Sequence, residues 1–208
     1  MTVLVPHSSG AAPRTVPAAV RRMGPGETLE LAVLGVASHG PVELDRIAPL
    51  VRALGGPGWS PTADVALACC ERLMQIALLR CETADRIAGP SVVLTQAGRR
   101  RLRTLLRMGA PVGRDALGAT VAVLKVAFLH LLGAGDQWRE LDRMVASMEE
   151  ELADMREQTG DFPIRTGGVR LALGFELRSL ETRIGWLAAL RDSVAARLGT
   201  AACGSTPL

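Results

Sequence analysis

Apolar side chains recur every three or four residues in three consecutive segments after residue 27, which is the spacing of amphipathic helices. The pattern predicts helices over residues 28–38, 42–54 and 62–76, with Pro41 in the first turn of the second helix. Ser60 or Thr62 is placed to cap the third helix. The inward stripe of the third helix is predicted to consist of Val65, Ala66, Cys69, Cys70, Leu73 and Ile76.

Two short strands are predicted to follow the third helix. Leu78–Cys81 and Ser91–Leu94 are separated by a turn-rich segment, so they should form a hairpin. Thr95 then caps another helix. This order is that of a winged helix-turn-helix, in which the third helix enters the major groove of DNA. The basic residues of the last helix are Arg99, Arg100, Arg101, Arg103 and Arg107.

The second half of the chain is predicted to be almost entirely helical. A helix capped by Asp136 ends at residues 160–163, and a last long helix spans about residues 169–198. Each carries an apolar stripe that a small N-terminal domain cannot cover, so we expect dimerisation through these helices. The stripes are Leu141, Met144, Met148, Leu152 and Met155, and then Val169, Leu173, Leu177, Leu180, Ile184 and Leu187.

These patterns predict a mainly α fold, with an N-terminal winged helix-turn-helix, a small β-hairpin wing and a C-terminal long-helix dimerisation domain. Residues 1–27 contain four prolines and no periodicity, which predicts a flexible arm. Residues 28–110 would form the DNA-binding domain, residues 111–198 the helical dimerisation domain, and residues 199–208 a tail.

The most apolar stretch, residues 116–135, just reaches the length of a membrane-spanning helix. Lys125 lies near its middle and would cost about 2.5–3.5 kcal/mol on insertion. The start of the chain also lacks the basic head and apolar run of a secretory signal. We therefore predict a cytoplasmic protein in which this stretch is a buried helix, with no membrane partner.

Composition permits a nucleic-acid partner without requiring one. The net charge is +3, and Lys125 is the only lysine among 24 basic residues. The four cysteines form no C-x-x-C pair and the three histidines stand far apart in the sequence, so spacing predicts no metal site and no cofactor. The cysteines are interpreted as small buried hydrophobes in a reducing cytosol. A redox sensor at Cys69, Cys70 or Cys81 is the alternative.

Several segments resemble the PadR family of bacterial transcription factors. Residues 59–67 (WSPTADVAL) resemble the segment that opens its recognition helix, and residues 94–99 (LTQAGR) resemble the LTxxGR that closes its wing. Arg72-Leu73 and Leu78-Leu79 are similar to its arginine–leucine pair and its entry into the wing. Residues 176–187, which contain Trp186-Leu187, resemble its C-terminal helix. The resemblance covers residues 28–197.

The resemblance implies a homodimeric bacterial regulator, often a repressor, rather than an enzyme. In this family a winged domain binds palindromic operator DNA, C-terminal helices pair the subunits, and some members bind a flat hydrophobic effector at the dimer centre. Trp138 and Trp186 are candidates for stacking on such an effector or for filling the dimer interface. The residues expected to contact DNA are Thr62 and Arg72 at bases, and Ser60, Arg86, Arg99 and Arg100 at phosphates.

The chain departs from the family in the chemistry of its third helix. Asp64 and Glu71 are acidic, and Ala77 replaces the glycine expected before Leu78. The alternative function is therefore a degenerate winged helix that serves as a protein-interaction or effector-binding module, motivated by the apolar segment 65–79. We expect no enzyme, because no nucleophile–base pair, glycine-rich phosphate loop or metal cluster is visible in the sequence.

Overall fold

The structure is a computed structural model and describes residues 21–56, 58–82, 89–109, 116–160 and 167–203. Short 3₁₀ turns, Ala37–His39 and Leu129–Leu131, follow the first and fifth α-helices. The elements are α1 (Pro25–Val36), β1 (Val42–Glu43), α2 (Leu44–Gly55), α3 (Ala63–Gln75), β2 (Leu79–Glu82), β3 (Ser91–Leu94), α4 (Gln96–Leu106), α5 (Ala116–Phe128), α6 (Ala134–Gly160) and α7 (Gly167–Cys203).

The three strands form an antiparallel sheet in the order β1-β3-β2. In the predicted hairpin, Arg80 of β2 pairs with Val93 of β3. The sequence prediction missed β1, because residues 42–43 were assigned to the second helix and Pro41 to its first turn. Val42 instead pairs with Val92, and α2 begins only at Leu44. A two-residue strand depends on its partner for stability, so it leaves no periodic signal of its own.

Helix α1 lies at the centre of the N-terminal core. Its residues from Thr28 to Val36 are all buried, and α2, α3, α4 and α5 pack around it. Helix α5 approaches so closely that a Cβ at Gly35 would lie 2.1 Å from the Phe128 ring. The hydroxyl of Thr120 donates to the carbonyl of Gly55 at 3.0 Å, which joins α5 to the end of α2. The order and packing of these elements confirm the predicted mainly α, winged-helix fold.

The apolar segment predicted to be a buried helix contains α5, and the rest of the chain covers one face of that helix, while Val123 on the other side is 52% exposed. Lys125 is fully buried, and its Nζ donates to the carbonyl of Leu106 at 3.1 Å, to that of Met108 and to the carboxylate of Glu140. Burial lowers the pKa of Lys125, and the charge of Glu140 opposes that shift. Arg143 forms an ion pair with the other Glu140 oxygen, although without hydrogen-bond geometry. Within the described ranges, no helix is both long and apolar enough to cross a membrane.

Helices α6 and α7 pack along each other, and this corrects the interpretation of the two C-terminal stripes as seams left for a partner chain. Arg191 pairs with Asp142 at 3.1 Å and Arg156 with Glu181 at 2.7 Å along the contact. From Leu177 onward the two stripes cover each other within one chain, because neighbouring helices can each bury the other's apolar face, whereas Val169 at the start of the α7 stripe is 50% exposed. The buried residues of the contact are Leu141, Met144, Leu152 and Met155 on α6, and Leu180, Leu187 and Val194 on α7.

The start of α6 also differs from the prediction. Asp136 lies within the first turn of the helix, which begins at Ala134, rather than at the cap. Its carboxylate pairs with Arg107 and Arg139, both at 2.6 Å, and hydrogen bonds from these arginines lower its pKa. The predicted domain divisions stay predictions, and the one between residues 110 and 111 lies outside the described residues.

Candidate nucleic-acid interface

The N-terminal end of α3 faces solvent. The hydroxyl of Thr62 accepts a hydrogen bond from the N–H of Val65 at 3.4 Å, which confirms the predicted cap. Ser60 is exposed two residues upstream. The backbone N–H groups at a helix N-terminus attract phosphate oxygens. This end of α3 is therefore suited to approach the backbone of a nucleic acid.

The inner face of α3 is narrower than predicted. Ala66, Cys69, Cys70 and Leu73 are buried, whereas Val65 and Ile76 are 49% and 53% exposed. Each helical residue turns by about 100°, so Val65 and Ile76 lie roughly 90° from the centre of the buried stripe. The outer face consequently presents Asp64, Val65, Ala68, Glu71, Arg72, Gln75 and Ile76.

Arg72 is close to a buried carboxylate of α1. Oε2 of Glu30 lies 3.9 Å from Nη2 of Arg72. The same carboxylate accepts two hydrogen bonds from Arg101 of α4, at 2.7 and 3.0 Å, and they raise the pKa of Arg101. Glu30 thus links α4 to α1, and its carboxylate also attracts the guanidinium group of Arg72 on α3. The Arg72 side chain is still half exposed, so it remains available at the outer face.

The arginines of α4 and of its C-cap are of two kinds. Arg101 and Arg107 pair with Glu30 and with Asp136. Arg99, Arg100 and Arg103 are exposed, and in the described part of the chain none of them forms an ion pair. We call these three residues the basic face of α4. Exposed guanidinium groups without an internal carboxylate are free to neutralise phosphates.

The turn that follows α3 holds the start of α4. The hydroxyl of Thr95 accepts from the N–H of Gly98 at 3.0 Å, which confirms the predicted cap, and lies 2.8 Å from the carbonyl of Ala77. A Cβ at position 98 would lie 2.2 Å from the carbonyl oxygen of Leu78, so only glycine fits there. This contact places the start of α4, which carries the basic face, beside the turn at the C-terminal end of α3.

The other predicted site residues are separated. Arg86 lies outside the described residues. Trp138 is partly buried against the main core, whereas Trp186 is exposed on α7. The Asp142–Arg191 and Arg156–Glu181 pairs set the register of the two helices and place Trp138 opposite a residue near 195. At 1.5 Å per residue, the two indoles are about 14 Å apart along the helix axis, so one chain does not bring them together.

An exposed apolar row runs along the side of α7 that faces away from α6. Leu171, Phe175 and Trp186 are 72%, 64% and 57% exposed. Thr182 and Ala189 lie on the same side and are also exposed. We call these five residues the outer row of α7. Sequence reasoning missed this row because the inward leucine stripe of α7 dominates the periodicity, while the outer row mixes apolar and small residues.

Burial affects the protonation of two of the candidate redox cysteines, Cys69 and Cys70. It raises the pKa of Cys70 to about 12, and it also raises the pKa of Cys69 despite the neighbouring Arg72. Because the thiolate is the reactive form, these thiols are suited to the core rather than to redox chemistry. Cys81 is exposed on β2.

No protein-family model matches the sequence, and neither does any curated protein. Among solved structures, Bacillus subtilis PadR in complex with operator DNA is 17% identical, covers 80% of this chain and 98% of its own, and has a TM-score of 0.38. The Vibrio cholerae virulence activator AphA is 20% identical, covers 83% of this chain and 98% of its own, and has a TM-score of 0.36.

The PadR-like regulator BC1756 of Bacillus cereus is 14% identical over 81% of this chain and 99% of its own, with a TM-score of 0.36. The PadR and BC1756 structures carry the name of the family that the sequence motifs resemble. At TM-scores this low, the proposed function has to rest on the residues of this chain.

Proposed function

We propose that this chain is a homodimeric transcriptional regulator that binds operator DNA through its winged helix. One observation carries the proposal: the basic face of α4 begins beside the turn at the C-terminal end of α3, and the outer face of α3 is exposed from its capped N-terminus to Gln75. Phosphate contacts supply affinity and position, whereas side chains in the groove supply sequence reading. Such a regulator acts in the cytoplasm, where bacterial operators lie.

The two parts of this surface differ in what they contribute. Arg99 and Arg100 would hold phosphates, and their contribution should not depend on sequence. On α3, Arg72 is the group best suited to a guanine edge, and Thr62 and Gln75 are available to other bases. Because Asp64 and Glu71 share the outer face, base reading would come from few contacts, and backbone contacts would supply most of the affinity.

Dimerisation is proposed to use the outer row of α7. Large exposed apolar side chains, such as Leu171, Phe175 and Trp186 of this row, mark interaction surfaces, and a two-fold axis across the row would pair it with itself. Residues 171–189 extend over about 27 Å of helix, which is long enough for a continuous contact. A two-fold dimer would bind two half-sites of a palindrome about 34 Å apart. A flat hydrophobic effector would find an exposed ring at Trp186.

The alternative, a degenerate winged helix without sequence-specific DNA binding, has less support. It was motivated by the apolar character of α3. That apolar side is buried at Ala66, Cys70 and Leu73, against α1 and α2. Val65 and Ile76 remain exposed, but they lie about 90° from the buried stripe rather than forming an open apolar face.

Recovery of genomic fragments tests the proposal. The purified full chain is incubated at low salt with sheared DNA from its own organism, and the bound fragments are sequenced. We expect enrichment of a palindromic motif, loss of that enrichment in Arg72→Ala, and retention in Arg183→Ala, an exposed arginine on α7. If the wild-type chain bound no fragment at low salt, the proposed function would be wrong.

A further inference from the structure

Two of the three histidines, distant in the sequence, meet at the surface of the fold. His39 ends the 3₁₀ turn after α1, and His130 lies in the 3₁₀ turn after α5. Their ring centroids are 5.5 Å apart, with 36° between the ring planes, and both side chains are exposed. The third histidine, His7, lies outside the described residues. The spacing of the histidines in the sequence therefore gave no indication that two of their imidazole rings lie side by side.

We propose that His39 and His130 form a two-histidine binding site for a divalent transition-metal ion. Neutral imidazole nitrogens bind Zn²⁺ at about 2.0–2.1 Å, and they also suit Ni²⁺ and Cu²⁺. Two imidazoles on one ion at a tetrahedral angle would place their ring centroids about 5 Å apart. The observed separation is close to that value. Water would complete the coordination of the ion, as it does in metal sites with an open position.

The surroundings of both rings favour ligation. Nδ1 of His130 lies 3.2 Å from the carbonyl oxygen of Ala127. When Nδ1–H donates to this carbonyl, Nε2 keeps its lone pair for a metal. Metal-binding histidines almost always show such a second bond, because it fixes the tautomer and the ring orientation. The buried Phe128 ring, 6.1 Å from the His39 ring, packs beside that imidazole.

A bound ion would connect two parts of the fold. One turn follows α1, the central helix of the winged domain, and the other precedes the α6–α7 hairpin. Because the two ligands come together only in the folded chain, the ion would stabilise the fold by an amount that grows with the logarithm of its concentration above the Kd. Neither turn contains a residue of the proposed DNA-binding surface, so metal binding is tested independently of the regulator function.

Nickel titration of the tag-free, chelator-treated full chain tests the site. Ni²⁺ suits imidazole. Calorimetry should show one saturable site per chain, and the melting temperature should rise with added Ni²⁺. His39→Ala and His130→Ala should each weaken binding by about tenfold or more and abolish the thermal shift. His7→Ala and Cys81→Ala, the matched controls for the remaining histidine and an exposed thiol, should bind as the wild type does.

Several results would overturn the proposal. They are the absence of saturable Ni²⁺ binding by the wild-type chain, wild-type affinity in both His39→Ala and His130→Ala, or a loss in His7→Ala as large as theirs. Because His39 and His130 are exposed, the metal-free melting temperatures of their variants should match the wild type. His39→Gln and His130→Gln provide a second pair of variants that keep a polar side chain.

Discussion

At the scale of single residues, Ala77 adopts a backbone conformation that favours glycine. Its φ is 56°. The N–H of Ala77 donates to the carbonyl of Met74 at 3.0 Å, and the N–H of Leu78 donates to the carbonyl of Leu73 at 2.9 Å. These two bonds form a Schellman motif, in which the left-handed residue is usually glycine. The alanine therefore keeps the turn that leads from α3 into the wing, at a cost in backbone strain.

Ala77→Gly should stabilise the fold. Relief of the left-handed strain is worth about 1–2 kcal/mol, and the greater freedom of glycine in the unfolded chain removes roughly 0.4–1 kcal/mol of that gain. Urea unfolding should show a net increase in the free energy of unfolding. The control is Ala68→Gly, on the exposed side of α3, which should lose about 1 kcal/mol. A loss of stability in Ala77→Gly would contradict the assigned turn.

Cys70 should make stability depend on alkaline pH. Its thiol is fully buried, and burial raises its pKa from 9.0 to about 12. Between these values the unfolded chain loses the proton and the folded chain keeps it. Stability should therefore fall as pH rises from 9, by at most about 1.4 kcal/mol per pH unit.

The measurement compares the free energy of unfolding at pH 8 and pH 10. Cys70→Ala should lose less stability over this interval than the wild type. The exposed Cys81→Ala variant should behave like the wild type, and comparison between variants cancels the titration of Lys125. Equal losses in all three proteins would show that Cys70 does not remain protonated in the fold.

At the scale of elements, one buried carboxylate holds α1 and α4 together. Glu30 is almost completely buried and receives two hydrogen bonds from Arg101. Removing one partner of a buried ion pair leaves an uncompensated charge. Arg101→Gln should therefore destabilise the chain by about 3 kcal/mol, whereas the adjacent, exposed Arg100→Gln should change stability by less than about 0.5 kcal/mol. Chemical denaturation measures both, and similar values would refute a special role for Glu30.

Elements whose ends are determined by interactions between residues close in sequence were predictable from the sequence. The caps of α3 and α4 are at Thr62 and Thr95, as expected, because a capping side chain binds the backbone three residues further on. β3 has its predicted range for a similar reason, since a short β-branched run between turns is a local signal.

The features that sequence reasoning missed depend on contacts between distant residues. β1 exists through its pairing with β3, and Arg72 lies beside Glu30 because α1 and α3 pack together. The partner of each C-terminal stripe proved to be the other stripe, and periodicity alone does not say whether a partner belongs to the same chain. His39 and His130 also come together only through the packing of α1 against α5.

At the scale of the whole molecule, the outer row of α7 should control the oligomeric state. Phe175→Glu replaces a large apolar side chain of the exposed row with a charge, so it should shift the chain from dimer to monomer. The control is Val123→Glu, because Val123 is 52% exposed on α5, away from that row. Sedimentation velocity separates the two states. A wild-type monomer, or a dimer unaffected by Phe175→Glu, would show that the subunits do not pair through this surface.

The salt dependence of DNA binding tests the central claim most directly. Each phosphate neutralised by an arginine adds about 0.9 to the slope of log affinity against log salt concentration. For the proposed interface, Arg99→Gln/Arg100→Gln should therefore bind more weakly and reduce that slope by about 2. Arg170→Gln/Arg183→Gln, at two exposed arginines of α7 that do not belong to its outer row, should retain the wild-type slope. An unchanged slope in the α4 variant, or no salt-dependent DNA binding by the wild-type chain, would contradict the proposed interface.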